Sequence, residues 1–283
     1  MFSLTWKFHC NETNQIAGIG TAAGSSLAYL HNDLIWQKWN SSPVVGQKQF
    51  IYDLSFDKEI DNLIIYNHNF GIRASVKLRL MDSNSNIVFD ETWISGQLGI
   101  GFGLASFGLN GFGGLSSTNL EINPYNVFYK FFDKKVARFV EITVDNTVDS
   151  LSIGFMSVGQ AFSPKICSID ALVVQYETSS TQNISVEGSI SGKPSISRRN
   201  FNLKATLFDY IDTMEYVQLI INRNTSKMVF FTAVHSTTNA SSNALILSQV
   251  STAMCYINKN NYPSYEIGHG NTSTINLSLL ESI

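Results

Sequence analysis

Apolar and polar residues alternate with a period of two along much of this 283-residue chain. The pattern is clearest over residues 50–80, where three short apolar runs are separated by polar turns. A period of two places every second side chain on one face of a β-strand. Three successive runs of this kind predict an antiparallel sheet with one buried face. We expect strands over 50–56, 63–65 and 76–80, with a break at 57–59.

The pattern of the chain changes near residue 163. Before it, the alternating runs at 137–144 and 151–162 are separated by a polar turn. They predict two strands that form a hairpin and close a first domain. After it, Asp209 to Asn222 has apolar residues at helical spacing, with Asp209 or Asp212 as the N-terminal cap. We therefore predict a mainly β protein with a β-sandwich over 1–163 and a smaller β-rich α+β domain over 164–283, with one short helix near 209–222. The strands expected in the second domain are 169–176, 184–190, 201–207, 227–233, 244–250, 265–267 and 274–280.

The low charge of the chain limits what it can bind. Charged residues make up 14% of it and the net charge is −3, whereas about a quarter is typical. No basic surface for nucleic acid is expected. No apolar run approaches the ~20 residues of a membrane helix, so membrane insertion is not expected. A surface of uncharged polar residues suits contact with other proteins.

The three widely spaced cysteines, Cys10, Cys167 and Cys255, predict reduced thiols rather than a disulfide framework.

Residues 95–117 form an uncharged segment in which glycines alternate with Leu, Ile and Phe. Glycine is costly to order, and the recurrence of Phe every five residues fits neither a helix nor a strand. An apolar segment of this kind is best explained if it becomes ordered against another subunit. A self-packed loop and contact with a membrane or host surface are the alternatives. The expected subunit-interface residues are Phe102, Leu104, Phe107, Leu109 and Phe112.

Two short stretches could contact a ligand. Trp36 and Trp39 could line a pocket, although a pair of large apolar rings more often fills the end of a sandwich core. Asn67, His68 and Asn69 form a polar loop where a sandwich could present side chains to a sugar. The alternative for this loop is a turn stabilised by the Asn side chains.

No catalytic, metal or cofactor residues are assigned, and the chain is not expected to be an enzyme. The five histidines lack the spacing of a metal site. A glycosidase needs two carboxylates facing one cleft, but the carboxylates of 53–61 fall on strands and turns that we expect to form a solvated rim. A structural calcium ion held by these oxygens is the alternative. The carboxylates concerned are Asp53, Asp57, Glu59 and Asp61.

The order of these segments resembles that of the discoidin-like, galactose-binding-like β-sandwich. Trp36 and Trp39 precede YDLSF, which leads to DNLIIYNHN, a polar hairpin, ARFVEITV and LSIGFMSVGQAF. More narrowly, the chain resembles structural proteins of tailed bacteriophages that pair such a jelly-roll sandwich with a smaller domain. Arg198-Arg199-Asn200-Phe201 and Asp209 to Asn222 match the basic–aromatic strand and acid-capped helix of that domain. Residues 95–117 depart from the pattern as an insertion.

The resemblance implies a component of a virion tail, made in the bacterial host cytoplasm. Its partners would be copies of itself and neighbouring virion proteins. The alternative function is a carbohydrate-binding module that contacts glycans on the host surface. The low charge and the glycine-rich insertion favour the structural role, whereas the sandwich, the Trp pair and the Asn/His loop favour glycan binding.

Overall fold

The computed structural model describes most of the chain as antiparallel β-structure with one α-helix, which confirms the predicted fold class. It forms two compact units. The larger unit comprises Thr5–Ala161 with Ala233–Thr252, and the smaller unit comprises Met1–Leu4, Phe162–Thr232 and Ala253–Ile283. The described residues are 2–11, 15–18, 25–32, 34–42, 46–70, 74–94, 127–146, 150–178, 182–184, 190–192, 197–223, 227–233, 251–258, 263–268 and 272–282.

The strands are numbered in chain order. The first eight are β1 (Ser3–Phe8), β2 (Gln15–Gly18), β3 (Trp39–Asn40), β4 (Gly46–His68), β5 (Ser75–Met81), β6 (Ile87–Ile94), β7 (Val127–Asn146) and β8 (Ser152–Phe162). The others are β9 (Cys167–Thr178), β10 (Gln182–Ile184), β11 (Ile190–Gly192), β12 (Ser197–Leu207), β13 (Val229–Thr232), β14 (Thr252–Ile257), β15 (Ser264–Ile267) and β16 (Ser273–Glu281). The helix α1 spans Tyr210–Arg223, and a short 3-10 helix spans Leu27–Leu30.

Strand β4 is the centre of the larger unit, and the break predicted inside it at 57–59 is wrong. It is one strand of 23 residues that pairs with β7 along both of its halves. A bulge absorbs the polar residues: the register shifts between Asp53 and Lys58, and Ser55 has a φ of 70°. The Asp53 carboxylate accepts a hydrogen bond of 2.8 Å from the Ser55 amide. Because the bulge bends the strand without ending it, pairing resumes beyond it.

The two halves of β4 lie in different layers of a β-sandwich. The first half pairs with β2 and β7, and the second half pairs with β7 and β8. Side chains meet across the layers: Trp39, on the strand beside β8, packs on Phe50 with ring centroids 5.1 Å apart. Phe89 of β6 stacks on Phe132 of β7 at 4.4 Å. Strands that bend at bulges and continue into a second layer are a known way to close such a core.

The strands β7 and β8 do not form the hairpin expected over 137–162. Strand β4 lies between them and pairs with both. The inner face of this sheet is apolar, because alternate residues of each strand point into one hydrophobic cluster. This cluster includes Phe50, Tyr52, Leu63, Ile65, Val76, Leu78, Leu80, Val140, Ile142, Val144, Ile153 and Val158. Along β5, the second half of β7 and the first half of β4, the intervening residues form the opposite, mostly polar face, whereas β8 and the second half of β4 are buried on both faces.

The smaller unit is an antiparallel sheet with the strand order β13-β14-β16-β12-β9, and β15 also pairs with β16. The predicted helix is confirmed as α1, and Asp209 is its cap: its carboxylate accepts a hydrogen bond of 2.9 Å from the Ile211 amide. Tyr216 anchors the helix, since its hydroxyl donates to the backbone carbonyl of Asn276 at 3.1 Å.

One prediction for the second half of the chain is wrong, and one strand was missed. The single strand expected over 184–190 is wrong, because 184 and 190 are the paired ends of the hairpin β10–β11. Strand β14 was not predicted, although it is buried over most of its length. The strand expected over 244–250 lies outside the described residues, as do residues 95–117 with Phe102, Leu104, Phe107, Leu109 and Phe112.

The three cysteines are free thiols, with Cys10 and Cys255 buried and Cys167 half-buried. Among the described residues, α1 and the 3-10 helix are both too short to cross a membrane.

Candidate functional site

The outer face of the sheet β4–β7–β5–β6 carries an ordered array of side chains that are polar except for Ile51 and Ile94. The strand register aligns them in three rows that cross four strands. The first row is Gln47, Asp145, Ser75 and Ile94; the second is Gln49, Thr143, Lys77 and Thr92; the third is Ile51, Glu141, Arg79 and Asp90. Adjacent strands are about 4.8 Å apart, so each row spans about 14 Å.

A depression of about 410 Å³ lies over this array. Every residue that lines it is polar: Gln47, Gln49, Ser75, Lys77, Arg79, Thr92, Glu141, Thr143 and Asp145. Two lining residues are cations and two are carboxylates, so their formal charges cancel. The site is therefore rich in hydrogen-bonding groups without a net charge.

An ion-pair network fixes one end of the depression. Arg79 donates from Nε to Asp90 at 3.1 Å and from Nη1 to Glu141 at 3.4 Å. Lys77 lies 3.0 Å from the other oxygen of Asp90. Hydrogen bonds from Lys77 and then Arg79 lower the pKa of Asp90, and Asp90 in turn raises the pKa of Arg79. These charged groups satisfy one another and hold the side chains in place.

The rest of the depression is different. Within the described part of the chain, the side chains of Gln47, Gln49, Thr92 and Thr143 make no hydrogen bond with the protein. An amide or hydroxyl of this kind can both donate and accept. These four groups are therefore available to a ligand that itself carries donors and acceptors.

The predicted sugar-binding loop uses most of its polar groups within the protein. Asn67 donates to the Ile35 carbonyl at 2.8 Å and has a φ of 56°. The Asn69 amide donates to the Ser150 carbonyl at 2.8 Å, and its oxygen accepts from the Ser152 amide at 2.7 Å. These bonds stabilise the turn, as expected for Asn side chains in loops. A sugar contact by Asn67, His68 or Asn69 stays a prediction.

His68 is buried in the same turn. Its ring stacks on Phe70 with centroids 3.8 Å apart, and its Nδ1 accepts a hydrogen bond of 3.1 Å from the Phe70 amide. Burial, together with the nearby charge of Lys38, lowers the pKa of His68 to about 3. The imidazole is therefore neutral at physiological pH and cannot act as a cationic ligand contact.

The structure separates the two tryptophans that the sequence placed together. Trp39 is fully buried and packs on Phe50 in the core. It has no surface to present to a ligand, so its assignment as a ligand contact needs correction. Trp39 instead fills part of the core, which was the alternative given for the tryptophan pair. Trp36 is 59% exposed. It follows Ile35, whose carbonyl binds Asn67, so Trp36 lies close to the Asn/His loop.

The four carboxylates of 53–61 are dispersed among different partners. Asp53 forms a bidentate pair with Arg138 at 2.8 Å for both contacts, and Glu59 pairs with Lys134 at 3.1 Å. Asp57 accepts from the hydroxyl of Ser83 at 2.8 Å, and Asp61 accepts from the Ala161 amide at 2.9 Å. Over the described ranges there is no group of three or more His, Cys, Asp or Glu suited to hold a metal. The calcium alternative stays a prediction.

Sequence reasoning missed the polar sheet face. Its signal is present in the outward positions of each strand, for example Lys77 and Arg79 or Glu141 and Thr143. Strand β7, however, pairs with two strands that precede it in the chain by about 60 residues or more. The polar array can be recognised only when the pairing of β7 with β4 and β5 is known, because no single strand contains more than three of the lining residues.

Comparisons with known proteins show similarity to carbohydrate-binding modules at low identity. The lectin domain of lectinolysin complexed with Lewis B antigen is 16% identical, covering 52% of this chain and 92% of that one, with a TM-score of 0.34. A chitosan-binding module of a Paenibacillus chitosanase/glucanase is 9% identical, covering 55% and 98%, with a TM-score of 0.36. A Streptococcus pneumoniae fucose-binding module is 16% identical, covering 52% and 94%, with a TM-score of 0.36.

No protein-family model and no curated protein sequence matches the chain. None of the three similar structures is a bacteriophage tail protein. At these identities and TM-scores the similarity assigns no function to this chain.

Proposed function

We propose that the larger unit binds carbohydrate in the polar depression over β4, β7, β5 and β6. The observation that carries this proposal is the lining: nine polar side chains around about 410 Å³, four of which have no hydrogen-bond partner among the described residues. A sugar presents closely spaced hydroxyls that each donate and accept. The amides of Gln47 and Gln49 and the hydroxyls of Thr92 and Thr143 complement them in both respects.

The charge of the lining selects among glycans. Lys77 and Arg79 are balanced by Glu141 and Asp145 in the lining, and both cations also pair with Asp90 beside it. The depression therefore has no excess of cations to hold an anionic group, and a neutral glycan is favoured over a sialylated or sulfated one. The fixed Arg79 network keeps the floor rigid, and this rigidity reduces the entropy lost on binding. Because each sugar hydroxyl must give up water to bind, we expect dissociation constants of about 1 µM to 1 mM.

The double variant Gln49→Ala/Thr143→Ala tests the site. The two residues are cross-strand neighbours in the central row, and their removal deletes hydrogen-bonding groups without disturbing the ion pairs. We expect binding at least ten-fold weaker, measured by isothermal titration calorimetry. Fucose, Lewis b and chitosan oligosaccharides are the first probes, because similar structures bind them. Gln175→Ala, an exposed glutamine on β9 of the smaller unit, is the matched control and should bind as the native chain does.

The variant Trp36→Ala separates this site from the Asn/His loop. If Trp36→Ala abolishes binding and Gln49→Ala/Thr143→Ala does not, glycan binding stands but its site is the loop. If the native chain, folded by circular dichroism, binds no glycan on a broad array at millimolar concentration, the proposed function is wrong.

We propose a second function, a structural role in a bacteriophage virion through contacts with neighbouring virion proteins, after synthesis in the host cytoplasm. The specific support is a stripe of exposed apolar side chains on α1, where Ile211, Met214 and Ile221 share one face. Few charges interrupt such a surface in a chain with 14% charged residues. Mass spectrometry of purified bacteriophage particles tests this role. The chain should be present in stoichiometric amounts relative to the other virion proteins, and its absence would refute the role.

A further inference from the structure

Strand β9 is a long edge of the sheet in the smaller unit. It has 12 residues and pairs with β12 along all of its length from Cys167 to Thr178. Among the described strands, β12 is its sole neighbour, so β9 ends the strand order. An edge strand exposes backbone N–H and C=O groups on its free side, and proteins usually protect such an edge with charges, proline or bulges.

The free edge of β9 has little of this protection. Its central residues, Ala171 to Gln175, contain no charge and no proline. The one register shift lies near its start, opposite Lys204 and Ala205. Three large apolar side chains along the strand remain exposed: Ile169, Val173 at 46% and Tyr176. The strand therefore offers both unpaired backbone and apolar surface to an extended partner.

The sequence of β9 is complementary to itself when read in the antiparallel direction. Residues opposite each other must face the same side of a sheet. Leu172 and Val174 share the inner face, because they pair with the buried Leu203 and Phe201, whereas Val173 faces outward beside Asn202. A two-fold axis through Val173 therefore places Leu172 opposite Val174 and Ala171 opposite Gln175.

This register has no electrostatic conflict. The carboxylates of the strand are Asp170 and Glu177, near its two ends. Asp170 lies at the register shift, and the segment centred on the two-fold axis, Ala171 to Gln175, contains no charged residue. No carboxylate therefore opposes another within this segment. Apolar pairs and the absence of opposed like charges both favour cross-strand pairing.

We propose that two copies of this chain associate by antiparallel pairing of their β9 strands, with Val173 opposite itself on the two-fold axis. The partner is a second copy rather than an unrelated strand, because this register places Val173 opposite itself and Leu172 opposite Val174 and opposes no like charges within Ala171 to Gln175. This inference goes beyond carbohydrate binding and does not depend on it, since β9 and the polar depression belong to different units.

Light scattering coupled to gel filtration, without glycan, tests the association. We expect a dimer for the native chain at about 50 µM. Val173→Lys places two ammonium groups directly opposite each other and should give a folded monomer. Val136→Lys introduces the same charge at an exposed valine on β7, in the larger unit, and should remain dimeric. A monomeric native chain, a dimeric Val173→Lys variant, or an equal loss of the dimer in Val136→Lys would overturn the proposal.

Disulfide trapping tests the register, in a Cys167→Ser background that removes the half-buried native thiol. In Val173→Cys the two introduced thiols face each other at about 5 Å between Cβ atoms, within reach of a disulfide after small adjustment. In Gln175→Cys the two thiols are four residues apart along the strand, about 13 Å. Mild oxidation should give a covalent dimer for Val173→Cys and none for Gln175→Cys. Equal cross-linking of both variants would reject the pairing centred on Val173.

Discussion

Removing the positive charge of Arg199 should destabilise the smaller unit severely. Arg199 and Glu281 form an ion pair in which both side chains are 1% exposed. Glu281 accepts hydrogen bonds from Arg199 Nε at 2.9 Å and from the Arg199 backbone amide at 3.1 Å, and a further one from Nη2. The pair joins β12 to β16.

The magnitude follows from burial. In Arg199→Met the Glu281 carboxylate keeps the hydrogen bond from the backbone amide but loses its counter-charge. Leaving one member of a buried pair uncompensated costs about 3–5 kcal/mol, a large fraction of the 5–15 kcal/mol that is typical of a whole domain. With a urea dependence of about 1–3 kcal/mol per molar, the unfolding midpoint should fall by roughly 2 M.

The double variant Arg199→Met/Glu281→Gln is the control. Glutamine removes the buried charge but keeps an oxygen for the Arg199 backbone amide, so we expect most of the lost stability to return. Urea unfolding followed by circular dichroism measures the midpoint. Hydrogen exchange of the β12 and β16 amides localises the change to the smaller unit. A loss below about 1 kcal/mol in Arg199→Met, or a double variant no more stable than the single one, would refute this account, because water would then be solvating the carboxylate.

Two further outcomes concern the larger unit. Trp39→Ala should destabilise it by about 3–5 kcal/mol, whereas the exposed Trp36→Ala should change stability by no more than about 0.5 kcal/mol; equal losses in urea unfolding would contradict the assignment of Trp39 alone to the core. The pKa of His68 is lowered to about 3 by burial, so the unfolded chain binds a proton near pH 6.5 that the folded chain does not. The contribution of His68 to stability should therefore be complete above pH 6.5 and fall by up to about 4–5 kcal/mol towards pH 3. Burial also lowers the pKa values of His9 and His31 to about 4, so His68→Phe should reduce the measured pH dependence without abolishing it.

Local pattern was sufficient for several features of this protein. The period of two along β5 and the helical spacing of 209–222 predicted these elements, and Asp209 was one of the two caps proposed for α1. Each of these depends on residues close in sequence, where side-chain spacing and capping chemistry decide the conformation. The mainly antiparallel β class follows from the same local signals.

The bulge in β4 shows where local reasoning failed. Asp57, Lys58 and Glu59 are typical turn residues, and a turn was the natural prediction. The strand continues instead, because β7 pairs with it on both sides of the bulge and compensates for the local preference. The same dependence on distant partners explains why β7 and β8 were predicted as a hairpin, although β4 lies between them.

The sequence by itself determined which residues of each strand are apolar, where the helix lies, and that the surface carries few charges. The tertiary structure alone decided that Trp39 belongs to the core and Trp36 to the surface, and that polar residues from β4, β5, β6 and β7 line one depression. The physical reason is that a strand fixes only which face a side chain points to. Whether that face meets a core, a ligand or another copy depends on the strands that pair beside it, which are far apart in the chain.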